Sequence, residues 1–363
     1  MKYVLVVDWL DKYGGAERVI KSLARVFPVE KCYALVDIMQ QHDIEKMFRD
    51  KQLVVETTTL QKLGKRFRIF FPFFDYFSKK ISIDKDTDII ISSSHAVAKG
   101  VRKTASSQLH FSYFQARNQK YLWEDATLYF KLPSIALKPL LTYLRRLDVQ
   151  AAQQPDYIIS NSKFVQRWVK NTYKRDSAVI YPPVELEKFK LNTNKEDYYI
   201  AVGRMEPYKR FDIIVEAFRN SEKKLIIVGD GSQLPKLKKH ATDNISFTGY
   251  LESERICDLI GKARAFIHAG VEDFGIAPIE AQSCGTPIIA YGYGGVLETV
   301  LENKTGIFFY EKNSNSLLEA LSTFETLNFN YSFISEHAQQ FSTEKFEDNL
   351  QKFVSEKIKT NKS

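Results

Sequence analysis

Cysteine is scarce: three in 363 residues, at Cys32, Cys257 and Cys284. That excludes a disulfide scaffold, and the odd count with wide spacing argues against a structural zinc site. Long apolar runs are missing as well. No stretch approaches 18 uncharged apolar residues, so a transmembrane helix is not expected. The opening run Met1–Asp8 is too short for the core of a signal peptide and suits a buried strand. The expected compartment is therefore the reducing cytoplasm. Repeats and low-complexity tracts are absent. So is the Gly-x-Gly-x-x-Gly fingerprint; in Gly229-Asp230-Gly231 the third glycine is missing, which disfavours a dehydrogenase.

What is present is a basic excess with many aromatics. Lys and Arg number 52 against 44 Asp and Glu, a formal charge of +8, alongside 26 Phe and 19 Tyr. A 44% hydrophobic share at this length supports a sizeable core and one large or two ordinary domains. Basic and aromatic together suit nucleic acid, a membrane surface, or neither. No nucleic-acid recognition motif accompanies the charge.

Short runs rich in Val, Ile, Tyr and Phe alternate with amphipathic stretches. The first half has Tyr3–Val7, Cys32–Val36, Asp88–Ser92, Leu109–Phe114 and Tyr157–Ser160. The second has Tyr198–Val202, Lys224–Val228, Asn244–Phe247, Ala265–His268, Pro287–Tyr291 and Gly306–Phe309. Helical patterns such as Gly15–Phe27 and Phe211–Phe218 lie between them. This alternation implies α/β architecture: two Rossmann-like, doubly wound parallel-sheet domains. Tyr181-Pro182-Pro183-Val184 cannot continue a helix and marks the boundary. The expected domains are 1–183 and 184–342, with a charged helix near 343–358 that packs back on the first. Ligands of such sheets bind beyond the strands' carboxyl ends, so a cleft between the domains is expected.

Three loops at expected strand ends carry unusual chemistry. In Asp8–Arg18, Gly14 and Gly15 at a helix start allow close approach of an anion, or make a plain turn. In Gly203–Phe211, Arg204 and Lys209 suit a diphosphate, or a solvated basic turn. In Glu272–Glu280, Gly275 permits a tight turn and Pro278 suits a first helical turn. The amides near Gly275–Ala277 would then face an anion.

Together these pieces resemble the retaining glycosyltransferases of family 4, which have the GT-B fold. The family's Glu–seven residues–Glu signature matches Glu272 and Glu280. Further matches are Asn161-Ser162, Tyr181-Pro182-Pro183-Val184, Gly203-Arg204 with Lys209, Gly229-Asp230-Gly231, Ala281–Ala290, Gly294-Gly295 and Glu298. The resemblance runs in order from residue 3 to about residue 310. The stretches around Gly14–Glu17 and Ala269–Pro278 look like bacterial mannosyltransferases of surface-polysaccharide assembly. The resemblance implies a role at each matching position. Arg204 and Lys209 would hold the donor diphosphate and stabilise the leaving group. Glu272 would accept hydrogen bonds from the donor sugar, and Phe274, Gly275, Ile276 and Ala277 would line the sugar and phosphate. Glu280 would grip the ribose, Tyr250 and Leu251 would contact the base, and Gly14 and Gly15 would approach the phosphates. His95 matches the active-site histidine beside the transferred sugar. The other histidines keep a structural reading.

One segment departs from the pattern. Relatives often carry His-Thr-Pro-x-Arg-Tyr-x-Trp; here the stretch is Ala116-Arg117-Asn118-Gln119-Lys120-Tyr121-Leu122-Trp123. Lys120, Tyr121 and Trp123 remain as acceptor-side candidates, but the acceptor itself is not carried over. No metal or other cofactor is expected, since the two cations of one loop could replace a divalent ion. The reading is a retaining hexosyltransferase, with GDP-mannose as favoured donor and a saccharide, lipid-linked or not, as acceptor. A UDP-sugar-dependent transferase and a sugar-nucleotide epimerase on the same architecture remain alternatives.

Lys62–Lys80 holds six basic residues, one acid and seven aromatics. It suits either peripheral attachment to an anionic membrane at the cell's inner face or a buried aromatic loop with solvated flanks.

Overall fold

The computed structural model describes residues 1–48, 53–117, 120–124 and 134–362, with side chains for these except at 120, 121, 134–137 and 362. Two compact units result: Met1–Pro183 with Phe346–Ser363, and Val184–Lys345.

The first unit is built on seven parallel strands: β1 (Tyr3–Val7), β2 (Val29–Ala34), β3 (Val54–Thr57), β4 (Ile89–Ser94), β5 (Leu109–Phe114), β6 (Tyr157–Ser160) and β7 (Ala178–Val179). Their order is β3-β2-β1-β4-β5-β6-β7. Leu5 on β1 pairs with Cys32 on one side and Ile91 on the other. Val4–Val7 are buried throughout, as a strand covered on both faces must be. The helix Gly15–Val26 turns Val19, Ile20, Leu23 and Ala24 to the sheet, the spacing of one helical face. The C-terminal helix Thr343–Lys362 returns to this unit. Its Phe346, Leu350, Val354 and Ile358, four residues apart, join the same core as Leu5 and Val7.

The second unit holds six parallel strands: β8 (Tyr199–Val202), β9 (Leu225–Val228), β10 (Ile245–Gly249), β11 (Ala265–His268), β12 (Ile288–Tyr291) and β13 (Gly306–Phe309). They run in the order β10-β9-β8-β11-β12-β13. One face of the sheet packs on the helices Phe211–Arg219 and Ser314–Phe324 through Phe211, Ile214, Phe218, Leu317 and Leu321. The other packs on Ser253–Lys262 and Ile276–Ser283 through Leu259, Ile260 and Ala281.

The doubly wound expectation for both halves is met. Two strands were absent from the sequence reading, β3 and β7. Lys62–Lys80 forms short 3₁₀ turns within Thr59–Phe73, broken at Gly64 and Phe70, followed by a short helix at Phe74–Lys79.

Candidate active site

In each sheet the strand order reverses beside its first strand, between β1 and β4 and between β8 and β11. Ligand sites of doubly wound sheets form beyond the carboxyl ends at such points.

In the second unit the loop after β8 is fixed at its turn. Gly203 N–H donates to the Val228 carbonyl and Met205 N–H to the Asp230 carbonyl, at 3.0 and 2.9 Å. Gly229 lies against this turn with φ 126°, and a Cβ there would fall 2.1 Å from the Gly203 oxygen. No other residue fits. Met205 is buried, which leaves Arg204 pointing out, exposed and in no ion pair with a described residue. Arg210, in left-handed conformation, begins the next helix and pairs with Asp212.

The loop after β11 closes on the same turn. Lys209 Nζ pairs directly with Glu272 Oε1, both side chains about four-fifths buried. Gly295 N–H donates to the Glu272 carbonyl at 2.9 Å, which fixes the loop from the β12 side. Gly275 has φ 92° and caps the helix Ile276–Ser283 without a side-chain hydrogen bond. Its carboxylate neighbour is Glu272 Oε2, 3.7 Å from the site of a Cβ on Gly275. The helix start therefore offers amide donors and partial positive charge beside a Lys–Glu pair. Asp273 and Phe274 are buried, and Glu280 is half-buried one turn on. Tyr250 and Leu251 follow β10 at the outer end of the sheet; Tyr250 is largely exposed, while Leu251 packs on the core.

His268 ends β11. Burial pushes its imidazole down to about 4, with Glu272 raising and Lys209 lowering it. It is neutral at physiological pH, and its Nε2 has no hydrogen-bond partner among the described residues. Sequence reasoning set it aside as structural and did not place it among these charges.

In the first unit, Asp8 follows β1 and its carboxylate is fully buried. Oδ2 accepts the backbone N–H groups of His95 and Ala96 at 2.6 and 2.9 Å, and Oδ1 accepts those of Val97 and Ala98 at 2.6 and 2.7 Å. His95 Nδ1 also lies 3.1 Å from Asp8, and the Trp9 ring meets the imidazole edge-on at 4.6 Å. Behind this loop, Lys99 Nζ donates to the Ala96 carbonyl and to Asp148 Oδ1, the latter at 2.7 Å. Both ions are buried. Asp148 Oδ2 in turn accepts Trp123 Nε1–H and the Tyr173 hydroxyl at 2.8 and 2.7 Å. Asp8, Lys99 and Asp148 had no place in the sequence reading. They act through the loop that carries His95.

Trp123 thus spends its indole N–H inside the unit, with its ring against Trp168 and Tyr173. Lys120 and Tyr121 begin the same short helix, Lys120–Trp123, and their side chains lie outside the described residues.

Gly14 is extended, a conformation any residue adopts, so its glycine supplies room rather than backbone freedom. The carboxylate of Glu17 fills part of that room, accepting the backbone N–H groups of Gly14 and Glu17. Burial pushes the Glu17 carboxyl up to about 7. The folded chain therefore binds more protons here than the unfolded chain between about pH 4.5 and 7. Stability falls as pH rises through that window, and the full penalty, about 3 kcal/mol, applies above it. Glu17→Gln should raise the unfolding free energy at pH 8 by that order and change it little at pH 4.5. Urea unfolding at the two pH values checks the difference.

The expectation of no metal took the sequence to lack a clustered Asp-x-Asp, but Asp84-Lys85-Asp86-Thr87-Asp88 is one. It precedes β4, a central strand, at the amino-terminal end of the sheet, whereas His95 follows the strand's carboxyl end. Asp84 and Asp86 pair with Lys31 and Lys2, and Asp88 accepts the Lys2 backbone N–H.

Residues 184–346 match the family model described as Glycosyl transferases group 1. The match falls on the second unit and leaves Met1–Pro183 of the first outside it. An uncharacterized glycosyltransferase of Methanocaldococcus jannaschii is 26% identical over 260 residues, 64% of this chain and 65% of the relative. The O-antigen chain mannosyltransferase RfbU of Salmonella typhimurium is 25% identical over 48% of this chain and 52% of its own. A GDP-mannose-dependent alpha-(1-6)-phosphatidylinositol monomannoside mannosyltransferase of Mycobacterium tuberculosis is 30% identical over 34% and 37%. The chain spans between half and two thirds of the length of the first curated relatives it matches. Among solved structures, sucrose-phosphate synthase of Thermosynechococcus elongatus superposes with a TM-score of 0.74 at 14% identity, covering 99% of this chain and 100% of the other. HepE of Anabaena, in complex with UDP, gives 0.68 at 16%, covering 98% and 100%. The fold is GT-B, as the sequence resemblance implied.

Proposed function

We propose that the protein is a nucleotide-sugar glycosyltransferase whose donor binds at the carboxyl ends of β8 and β11. The observation that carries this reading is the Lys209–Glu272 pair beside the uncapped start of the helix Ile276–Ser283. A nucleoside diphosphate sugar offers each group a partner. Its diphosphate takes Lys209, Arg204 and the amides of Gly275–Ala277, and its sugar hydroxyls take the Glu272 carboxylate. Glu280 meets the ribose, and Tyr250 and Leu251 the base. As the sugar–phosphate bond breaks, negative charge grows on the departing diphosphate, and cations already in place stabilise it most. Arg204 and Lys209 do this without a metal or other cofactor. His95 and the Gly14-Gly15 loop serve the transferred sugar and the phosphates, and 120–123 the acceptor. Transfer proceeds with retention, to a saccharide acceptor carried on a lipid and met at the inner face of the cell membrane.

The favoured donor is GDP-mannose, because mannosyltransferases are among the relatives. HepE has been solved with UDP-glucose, which favours a UDP-sugar as the second reading. A thermal-shift screen against GDP, UDP, ADP and their sugars separates them. A ligand at 100 times its Kd stabilises the folded protein by about 2.7 kcal/mol. Selective stabilisation by GDP-mannose supports the first reading, selective stabilisation by UDP-sugars the second. No response to any of them would remove both.

A further inference from the structure

The segment 59–80 has two faces. On the inner face Leu60, Phe67, Phe74 and Ser78 are buried. Phe67 and Phe74 stack on each other at 5.7 Å and pack against Trp9 at 5.6 and 5.7 Å. Ser78 Oγ donates to the Val97 carbonyl at 2.9 Å. The inner face therefore touches the His95 loop on both sides, through Trp9 and through Val97.

The outer face exposes Ile69 (72%), Phe73 (56%), Tyr76 (56%), Phe70 (41%) and Leu63 (37%). Lys62, Lys65, Arg66, Arg68 and Lys80 are exposed among them. The stretch's single acid, Asp75, is neutralised by Lys79 at 2.6 Å. The neighbouring helix Ser134–Ala151 continues the pattern. Its Leu141 and Leu144 join Phe71 in one cluster, while Leu140, Tyr143, Lys138 and Arg146 are exposed.

From this surface we infer an interfacial anchor for a bilayer containing anionic lipid. Water is a poor solvent for clustered Ile, Phe and Tyr, and the hydrocarbon edge of a bilayer is a good one. Arg68 is paired with Asp11 at 2.5 Å, and the exposed Lys62, Lys65, Arg66 and Lys80 match an anionic headgroup layer. A single-stranded nucleic acid would need flat rings lining a basic groove, and Leu63 and Ile69 offer no ring to stack on. The element that enters the headgroups is then the one that supports the His95 loop. This deepens the proposed function, in which the acceptor is lipid-linked, but its test reads binding alone.

The full chain is sedimented with phosphatidylcholine vesicles and with phosphatidylcholine–phosphatidylglycerol vesicles. Association is expected with the anionic vesicles and to weaken as salt rises. Each cation removed should cost about fivefold, so Lys65→Glu with Arg66→Glu should lower association at least about 25-fold. Ile69→Ser with Phe73→Ser should do the same at unchanged charge. Thermal midpoints and nucleotide stabilisation of both variants should stay at wild-type values, which separates lost anchoring from misfolding. Wild-type protein left in the supernatant, or variants that sediment as it does, would overturn the anchor. Wild-type protein that binds the anionic vesicles but is stabilised by no nucleotide would instead overturn the donor reading alone.

Discussion

Lys209→Ala should lower kcat/KM for glycosyl transfer by about 10²- to 10³-fold, or about 3 to 4 kcal/mol of transition-state stabilisation. In the proposed function the lysine is aimed where charge develops on the leaving diphosphate, so the loss should appear in kcat as well as in donor affinity. Glu272→Ala should be comparably damaging for a different reason. It removes the acceptor for the sugar hydroxyls and leaves Lys209 without its partner. Because the two side chains pair directly, the double variant should lose much less than the product of the single losses. Steady-state kinetics on the four proteins measures the coupling. The pair sits on loops with buried anchors at Met205 and Phe274, so the variants should stay folded, with thermal midpoints a few degrees from wild type. Full activity in either single variant would remove the site assignment.

Asp8→Ala should destabilise the first unit by about 3 to 5 kcal/mol, the range for breaking a buried charged network. One carboxylate satisfies four consecutive backbone amides, those of residues 95 to 98. Alanine leaves all four buried donors without an acceptor, and hydrogen bonds to a charged group are the costly ones to lose. Asp8→Asn keeps the shape but turns an NH₂ toward two of the amides, so it should recover only part of the loss. Urea unfolding gives the free energies. Amide hydrogen exchange gives the location: protection should fall first at residues 95 to 98. Transfer should fall with it, because this loop sets the position of His95.

The strands were legible where burial writes them into composition. β1 and β5 match their apolar runs residue for residue, because both are covered on two faces. β3 was invisible because it is an edge strand whose residues face solvent at Val54, Glu56 and Thr57, leaving no apolar signature. β7 is two residues long, too short for any periodicity to show. The site divides in the same way. Glycine-rich turns and the Lys209–Glu272 chemistry announce themselves in short local patterns. Asp8 does not, since its four partners lie 87 to 90 residues away and the role exists only once β1 and β4 pair. Lys99 and Asp148 read as surface charges in a line of sequence; only the packing of Ala96, Trp123 and Tyr173 around them makes them an internal brace. Lys62–Lys80 looked like a choice between membrane and core. Its 3₁₀ turns and short helix give it a buried side, with Phe67 and Phe74, and an exposed side, with Ile69 and Phe73.

The central claim is that the loops after β8 and β11 hold a nucleoside diphosphate. Calorimetric titration of the full chain with GDP and with UDP tests it most directly. The account predicts one site per chain for one of the two nucleotides, weakened at least about tenfold by Lys209→Ala, as expected when a charge-assisted phosphate contact is lost. Binding of neither nucleotide, or the same affinity in wild type and Lys209→Ala, would contradict it.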